Sequence, residues 1–216
     1  MNNIPDTITV LIADDHPSTR AGLLAILNKN PDIRVVGEAE NGFQVEKLIA
    51  ELRPNVLLLD LVMPGPTPAQ LEKWVRTNFP ETATLVLTAH DRDAYLAGMM
   101  DAGAAGFLAK TEAGEKIISA IRRVAGGELL YTEDQLMRAM RWRDTAGKKW
   151  ESLTKREREI VQLVVDGCDN RQIAEKLNVA VKTISFHISN ILKKLDVNSR
   201  HEAVAWVRKY LPDNLE

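Results

Sequence analysis

Five residues in the first half of the chain carry side chains suited to phosphoryl chemistry. Asp14 and Asp15 stand together, Asp60 follows a run of leucines, and Thr88 and Lys110 end two later apolar runs. Three carboxylates brought close together repel one another, so they either hold protons or bind a cation. Oxygen ligands without cysteine or histidine favour a hard ion, and Mg²⁺ is the expected cofactor.

A bound Mg²⁺ with open positions accepts phosphate oxygens, and this assigns a role to each remaining side chain. Lys110 can pair with a phosphate as a point charge, and Thr88 can donate a hydrogen bond to it. Asp60 is then the nucleophile, because a carboxylate can form an acyl phosphate. The metal ion and the lysine would offset charge on the transferring group.

A parallel sheet would bring these residues together. The sequence predicts strands over Ile8–Ala13, Ile33–Ala39, Val56–Leu59, Ala83–Leu87 and Ala105–Ala109. Helices are predicted over residues 18–28, 42–52, 68–78, 91–102 and 112–125. Strands that alternate with helices indicate an α/β fold with a five-stranded, doubly wound parallel sheet. Ligands bind at the carboxyl ends of such strands, where the five polar residues fall.

Charge is distributed unevenly along the 216 residues. Residues 1–136 contain 12 Lys and Arg against 19 Asp and Glu, whereas residues 137–216 contain 16 against 11. This asymmetry indicates two domains with different partners, the basic one being a candidate for nucleic acid.

Three features of the sequence are those expected of a cytoplasmic protein. The single cysteine, Cys168, cannot form an internal disulfide, as expected in a reducing compartment. Met1–Asp6 lacks the pattern of a secretion signal. No apolar run approaches the roughly 20 residues that span a bilayer, so no membrane partner is expected.

The front half resembles the receiver domain of two-component response regulators (flavodoxin-like). The motifs that carry the resemblance are Asp14-Asp15, Asp60 with Met63-Pro64, Thr88-Ala89, and Lys110. The resemblance covers about residues 6–126, and a receiver domain is predicted over 1–126. It implies that a histidine kinase phosphorylates Asp60.

Further roles are implied by the same resemblance. Mg²⁺ would be bound by Asp15, Asp60 and the main-chain carbonyl of Val62, with Asp14 nearby. Thr88 and Phe107 would form a switch pair, in which the hydroxyl moves toward the phosphate and the ring follows inward. Phe107 alone is equally explained by core packing, and His16 is interpreted as a solvated loop residue.

One departure from the family lies beside the phosphorylation site. Many members carry an Asp-Gly or similar pair shortly after the Met-Pro, whereas this chain has Gly65-Pro66-Thr67-Pro68. The prolines stiffen the loop, and phosphate lifetime or kinase docking is expected to differ.

Residues 127–150 are predicted to be a partly helical linker. Leu136, Met137 and Met140 repeat at helical spacing, and Gly147 is interpreted as a flexible joint.

The remaining residues, 151–216, are predicted to form a small all-α domain with a helix-turn-helix unit. Thr154 with Glu157, and Ser199 with Glu202, have the spacing of capping boxes. Short helices joined by short turns fit a helix-turn-helix unit, and its third helix is predicted over 181–195. Ile184, Ile188, Ile191, Leu192 and Leu195 line the apolar side of that helix.

The opposite side of the third helix has the chemistry of a DNA-reading surface. Serine and asparagine can read base edges, and an apolar ring can pack on a thymine methyl group. Lysines would contact phosphates. The predicted DNA-facing residues are Lys182, Thr183, Ser185, Phe186, Ser189, Asn190, Lys193 and Lys194. Alternatively, Phe186 packs against a neighbouring helix or subunit.

This half resembles the DNA-binding domain of the LuxR/NarL/FixJ type. Leu153–Glu159, Asn170–Ala174 and Lys182–His187 carry the resemblance. It implies sequence-specific binding to double-stranded promoter DNA, commonly as a homodimer. The last helix, with Val204, Ala205 and Val207, would form the dimer contact. In contrast to many members, the third helix opens with Ala180-Val181, which offers no side-chain cap.

The combined interpretation is a transcription factor that is phosphorylated by a histidine kinase, and not an enzyme. Two alternatives remain. One is a phosphatase-like enzyme that turns over an external substrate through an aspartyl phosphate. The other is a phosphorylation-independent DNA-binding regulator whose receiver serves only as a dimer scaffold.

Overall fold

A computed structural model describes residues 7–211. Met1–Asp6, on which the expected lack of a secretion signal rests, and residues 212–216 lie outside the described part. Within the described residues the chain forms two compact units, one of residues 7–91 and 95–136 and the other of residues 92–94 and 137–211. The predicted domain boundaries at residues 126 and 150 stay predictions.

The first unit is a five-stranded parallel sheet surrounded by helices, as the sequence predicts. Its strands are β1 (Ile8–Ala13), β2 (Ile33–Ala39), β3 (Val56–Leu59), β4 (Ala83–Thr88) and β5 (Gly106–Ala109). Its helices are α1 (Pro17–Leu27), α2 (Gly42–Leu52), α3 (Pro68–Asn78), α4 (Asp93–Ala102) and α5 (Gly114–Ala125). The strand order is β2-β1-β3-β4-β5, and every pair is parallel.

Burial explains why the central strands are apolar on both faces. All four residues of β3 are buried, and Val10, Leu11 and Ile12 of β1 are fully buried. A strand covered on both sides by helices has no solvated face, so it reads as a continuous apolar run.

Two predicted helices begin later than expected. α4 starts at Asp93 rather than residue 91, and α5 starts at Gly114 rather than residue 112. Before α5, the amide of Glu112 donates to the carbonyl of Ala109 in a turn, and Ala113 has the extended conformation of an N-cap residue. The acidic residue at 112 therefore belongs to a turn and not to the first turn of the helix.

The linker is more regular than the sequence indicated. α6 (Glu133–Trp142) continues through a π-helical turn (Arg143–Gly147) into α7 (Lys148–Glu151). Gly147 is buried and helical, and a Cβ there would lie 3.0 Å from the ring of Trp142. The interpretation of Gly147 as a flexible joint is therefore wrong, because this glycine makes room for an indole ring.

The second unit contains the predicted helix-turn-helix architecture. Its helices after the linker are α8 (Lys155–Val165), α9 (Asn170–Lys176), α10 (Val181–Leu195) and α11 (Arg200–Tyr210). The predicted capping box at Thr154 and Glu157 is present, and Asp169 with Gln172 forms a second one. Ile160, Ile173, Ile184 and Leu195 are fully buried in one core.

Among residues 7–211, none of the helices combines the length and apolar character needed to cross a bilayer.

Candidate functional site

The sheet register brings two carboxylates side by side. Ala13 pairs with Leu59 at the ends of β1 and β3, so the next residues, Asp14 and Asp60, emerge together. The amide of Asp60 donates to the carbonyl of Ala13 at 2.9 Å. Asp14 and Asp60 are only 2% and 4% exposed. Two acids are therefore buried at the carboxyl edge of the sheet, where the sequence predicted a site.

Local hydrogen bonds fix the orientation of both carboxylates. Oδ1 of Asp60 accepts from the amide of Leu61 at 2.8 Å, and Oδ1 of Asp14 accepts from the amide of His16 at 2.9 Å. In each acid the other oxygen, Oδ2, meets Lys110, so each side chain has one oxygen held by its own loop.

Lys110 joins the two acids. Its Nζ lies 2.6 Å from Oδ2 of Asp14 and 2.9 Å from Oδ2 of Asp60. Its amide donates to the carbonyl of Thr88, which fixes the lysine directly after β5. Burial lowers the pKa of the Lys110 ammonium, but the hydrogen bonds and charges of Asp14 and Asp60 outweigh it and leave this pKa raised. The ammonium therefore stays charged at neutral pH.

The site has a ligand set that fits a hard divalent cation. Four possible ligand atoms lie within 4.8 Å of one another. They are one carboxylate oxygen from each of Asp14, Asp15 and Asp60, and a ring nitrogen of His16. Three anionic oxygens at this spacing suit Mg²⁺. Val62, whose carbonyl is the fourth predicted ligand, lies two residues after Asp60, and its role stays a prediction.

His16 is largely solvated, as interpreted from the sequence, but it is not isolated. Its imidazole is 64% exposed, and Nδ1 lies 2.6 Å from Oδ1 of Asp15. Since Asp15 is itself 35% exposed, this contact lies at the outer rim of the acidic group.

The predicted switch residues lie on the two neighbouring strands. Thr88 ends β4 and is fully buried, and its Oγ1 accepts from the amide of His90 at 3.0 Å. Phe107 on β5 is 2% exposed and pairs with Val86, two residues before Thr88. Side chains two residues apart on a strand share a face, so Thr88 and Phe107 lie on the same side of the sheet.

Arg20 is a component of the site that the sequence interpretation missed. It is 8% exposed on α1, and its Nη1 donates to the main-chain carbonyl of Asp14 at 2.8 Å. The same guanidinium contacts Glu38 at 3.3 Å and Glu40 at 2.7 Å. The sequence carries a weak signal for this contact, because Glu38 and Glu40 place two carboxylates at the end of β2.

The side of α10 that the sequence predicts to face DNA is largely exposed. Phe186 is 66% exposed, and the exposed residues around it are Lys182, Thr183, Ser185, Ser189 and Lys193. Asn190 is half-buried. The helix begins at Ala180 without a side-chain cap, which confirms the expected departure. An exposed phenylalanine among small polar and basic side chains suits a nucleic-acid contact.

Lys194 differs from the other predicted DNA contacts. Its Nζ lies 2.6 Å from Oε2 of Glu157, a carboxylate that is 5% exposed and also caps α8. The burial of Glu157 raises the pKa of its carboxyl, but hydrogen bonds from Lys194 and Thr154 outweigh burial and leave this pKa lowered. Lys194 therefore also connects α10 to α8, and its role as a phosphate contact stays a prediction.

The expected dimer contact on α11 requires a correction. Val207 is 3% exposed and packs in the core with Ala203 and Trp206, so it cannot face a second subunit. Val204 is half-buried and Ala205 is exposed. The helical period explains the difference, since residues 203 and 207 share the core-facing side.

Comparisons with known proteins agree with both halves of the molecule. Residues 10–122 match the family model described as "Response regulator receiver domain", and residues 151–207 match "Bacterial regulatory proteins, luxR family". The transcriptional regulatory protein LiaR of Bacillus subtilis is 37% identical over 205 residues, which is 94% of this chain and 97% of LiaR. The response regulator protein VraR of Staphylococcus aureus is 32% identical over 93% of this chain and 96% of its own.

Solved structures give the same result. The response regulator RcsB of Salmonella typhimurium aligns with a TM-score of 0.62 at 27% identity, over 94% of this chain and all of that chain. A complex of the two-component response regulator RcsB with DNA aligns with a TM-score of 0.60 at 28% identity, over 94% of this chain and 98% of that one. The chain therefore belongs to the two-component response regulators with a LuxR-type DNA-binding domain, which are transcription regulators and not enzymes.

Proposed function

We propose that a histidine kinase transfers a phosphoryl group to Asp60 in the presence of Mg²⁺, and that this modification controls sequence-specific binding to promoter DNA. The observation that carries the proposal is the position of Asp60. Its carboxylate is buried at the end of β3 and lies 2.9 Å from the Lys110 ammonium, beside the carboxylate of Asp14.

The chemistry follows from the side chains of the site. A carboxylate oxygen of Asp60 attacks phosphorus, and an O–P bond forms as the P–N bond to the kinase phosphohistidine breaks. The departing imidazole keeps the electron pair of that bond. Lys110 moves little to reach an oxygen of the acyl phosphate, because it already contacts Oδ2 of Asp60. Mg²⁺ held by Asp14, Asp15, Asp60 and the Val62 carbonyl would neutralise charge on the phosphoryl group.

The response to phosphorylation runs through Thr88 and Phe107 in this proposal. The Thr88 hydroxyl gains an acceptor in the new phosphoryl group, and the buried ring of Phe107 on the same sheet face adjusts to its movement. The receiver surface then changes, and a homodimer forms on DNA.

DNA contact is assigned to the exposed side of α10. Ser185, Phe186, Ser189 and Asn190 face base edges with Thr183 beside them, and Lys182 and Lys193 contact phosphates. The relative RcsB has been solved as a complex with DNA, which supports DNA binding by this chain. Since kinase output and promoter DNA meet in the cytoplasm, the protein is proposed to act there.

The test is phosphorylation by acetyl phosphate with Mg²⁺, followed by intact-protein mass measurement and DNA binding at fixed salt. Wild type is expected to gain one phosphoryl group, and Asp60→Asn none. Asp32→Asn, which alters an exposed acid paired with Arg122, is the matched control and is expected to behave as wild type. Equal labelling of Asp60→Asn contradicts the proposal.

DNA affinity separates the proposal from its alternative. A response regulator controlled by Asp60 binds promoter DNA more tightly after phosphorylation, in wild type but not in Asp60→Asn. If wild type binds DNA equally tightly before and after phosphorylation although Asp60 is labelled, the protein is a phosphorylation-independent regulator whose receiver serves only as a dimer scaffold. Salt must be fixed, because phosphate contacts make DNA affinity strongly salt-dependent.

A further inference from the structure

The chain that leaves α5 returns along the outer edge of β5. Within residues 128–135, called the edge segment below, Leu130 forms a parallel bridge with Gly106. The amide of Leu130 donates to the carbonyl of Ala105 at 2.7 Å. Gly106 permits this approach, because a Cβ there would lie 3.0 Å from Cβ of Leu130. The edge segment therefore lies beside β5, held by a bridge at Leu130, and continues into α6 from Glu133.

Two side chains of the edge segment bind further carbonyls next to and within β5. The Tyr131 hydroxyl donates to the carbonyl of Ala104 at 2.7 Å. Nε2 of Gln135 donates to the carbonyl of Phe107 at 3.0 Å. Burial raises the pKa of the Tyr131 hydroxyl, with a smaller contribution from the charge of Glu72, so this donor keeps its proton.

Gln135 also organises the first turn of α6. Its side-chain Oε1 accepts from the main-chain amide of Thr132 at 3.0 Å, and the main-chain amide of Gln135 donates to Oγ1 of Thr132 at 3.1 Å. This reciprocal pair is a capping box. One glutamine side chain thus binds both the start of α6 and the main chain of Phe107, the residue proposed to respond to phosphorylation.

We propose that Gln135 is a positioning residue that couples the state of Phe107 to α6, and that the edge segment transmits phosphorylation of Asp60 toward the DNA-binding domain. A buried ring in a close-packed core moves only with its surroundings, and the carbonyl bound by Gln135 belongs to the same residue as the ring. This inference rests on the proposed function. Coupling of this kind is reciprocal, so loosening α6 would also alter β5, the strand that carries Phe107.

Gln135→Glu isolates the contact. At neutral pH a glutamate keeps the acceptor that caps α6, since glutamate is a normal capping-box residue. It loses the N–H donor to Phe107. Gln44→Glu is the matched control, because Gln44 is exposed on α2 and serves as an acceptor for the amide of Glu40. Tyr131→Phe is a second variant that leaves the capping box intact and removes the bond to Ala104.

Full-length proteins are compared with and without acetyl phosphate and Mg²⁺ in three measurements. Mass measurement gives the extent of labelling, hydrogen exchange reports the Leu130 amide, and titration at fixed salt gives the DNA affinity. The Leu130 amide of wild type is expected to exchange faster after phosphorylation. Gln135→Glu and Tyr131→Phe are expected to be labelled like wild type and to exchange faster beforehand. Their ratio of phosphorylated to unphosphorylated DNA affinity should fall by about threefold or more, since one hydrogen bond is lost.

The outcomes distinguish this inference from the proposed function. Normal labelling with an unchanged affinity ratio in both variants overturns the coupling and leaves the proposed function intact. A wild type that acquires no phosphoryl group overturns both. If Gln135→Glu does not fold, Tyr131→Phe decides alone. If Gln44→Glu lowers the ratio of phosphorylated to unphosphorylated DNA affinity as much as Gln135→Glu does, the coupling is also overturned. Added negative charge would then explain the effect.

Discussion

Nζ of Lys110 lies 2.9 Å from Oδ2 of Asp60, a nitrogen–oxygen contact that joins the residue after the fifth strand to the residue after the third. The same ammonium contacts Asp14 at 2.6 Å, and only 16% of the lysine side chain is exposed. One ammonium group therefore lies against two buried carboxylates and offsets part of their charge. Lys110 and a divalent cation consequently stabilise the same pair of acids.

Replacing Lys110 with methionine should destabilise the metal-free protein. Removing one partner of a buried ion pair leaves uncompensated charge and costs about 3 kcal/mol. Mg²⁺ should reduce this loss, because the metal ion neutralises the same carboxylates. The measurement is the free energy of unfolding in urea with and without Mg²⁺. Lys116→Met, at an exposed pair with Glu112, is the control. A loss in Lys110→Met that is identical with and without Mg²⁺ would show that the two cations act independently.

Glu72 should make the stability of the protein depend on pH. It is fully buried on α3, and neither carboxylate oxygen has a hydrogen-bond partner in the described structure. Burial raises the pKa of Glu72 from 4.5 to about 7, opposed in part by Thr84 and Arg76. Because the folded-state pKa is the higher one, the stabilising contribution is complete below pH 4.5 and is lost as pH rises to about 7.

The variant that tests this is Glu72→Gln, which keeps the shape and removes the titration. The shift corresponds to about 3 kcal/mol. Between pH 4.5 and about 7, the unfolding free energy of wild type should therefore fall by about 3 kcal/mol relative to that of Glu72→Gln. The variant is the more favoured of the two at high pH. Parallel stability curves for the two proteins would mean that Glu72 ionises normally.

Arg20 should affect metal binding without contacting the metal. Its guanidinium holds the Asp14 carbonyl together with Glu38 and Glu40, and a lysine cannot reach all three acceptors at once. Loss of groups that orient a ligand typically weakens metal affinity by about tenfold or more. Calorimetric titration of Arg20→Lys with Mg²⁺ measures this effect. Arg122→Lys, at the exposed pair with Asp32, should bind Mg²⁺ like wild type; unaltered binding by Arg20→Lys would remove Arg20 from the site.

Phe186 should read thymine through its methyl group. Because its ring is 66% exposed, Phe186→Ala should leave the unfolding free energy within about 0.5 kcal/mol of wild type. Loss of a base contact should cost about 1 kcal/mol or more in specific DNA affinity. Replacing thymine by deoxyuracil within the footprint should weaken wild type and leave Phe186→Ala unchanged. Equal sensitivity of both proteins to deoxyuracil would place the ring away from the thymine methyl groups.

Much of the receiver site is predictable because parallel strands impose strong rules. Apolar runs of strand length, each followed by a polar residue, predict that these residues meet at one edge of the sheet. Asp14, Asp60 and Lys110 are found in direct contact there. Register does the rest, since β1 and β3 end together at Ala13 and Leu59, and β4 and β5 end together at Thr88 and Ala109.

Features that depend on tertiary packing were not predictable in the same way. The turn from β1 into α1 buries Arg20, although a lone arginine on a short helix reads as solvated. Val207 looks available for a partner until Ala203 and Trp206 show which side of α11 is the core. Lys194 is paired with Glu157, a contact across 37 residues that no local pattern encodes.

The strand order β2-β1-β3-β4-β5 places β1 and β3 inside the sheet and β5 at one of its edges. The acids that would hold phosphate and metal follow β1 and β3, which have hydrogen-bonded strands on both sides. Phe107 lies on β5, whose outer margin within residues 7–211 is flanked by a few residues of the returning chain, and Thr88 lies on the neighbouring β4. Marginal strands open at lower free energy than central ones. We therefore expect the border beside β5 to open at lower free energy than the strands that carry Asp14 and Asp60.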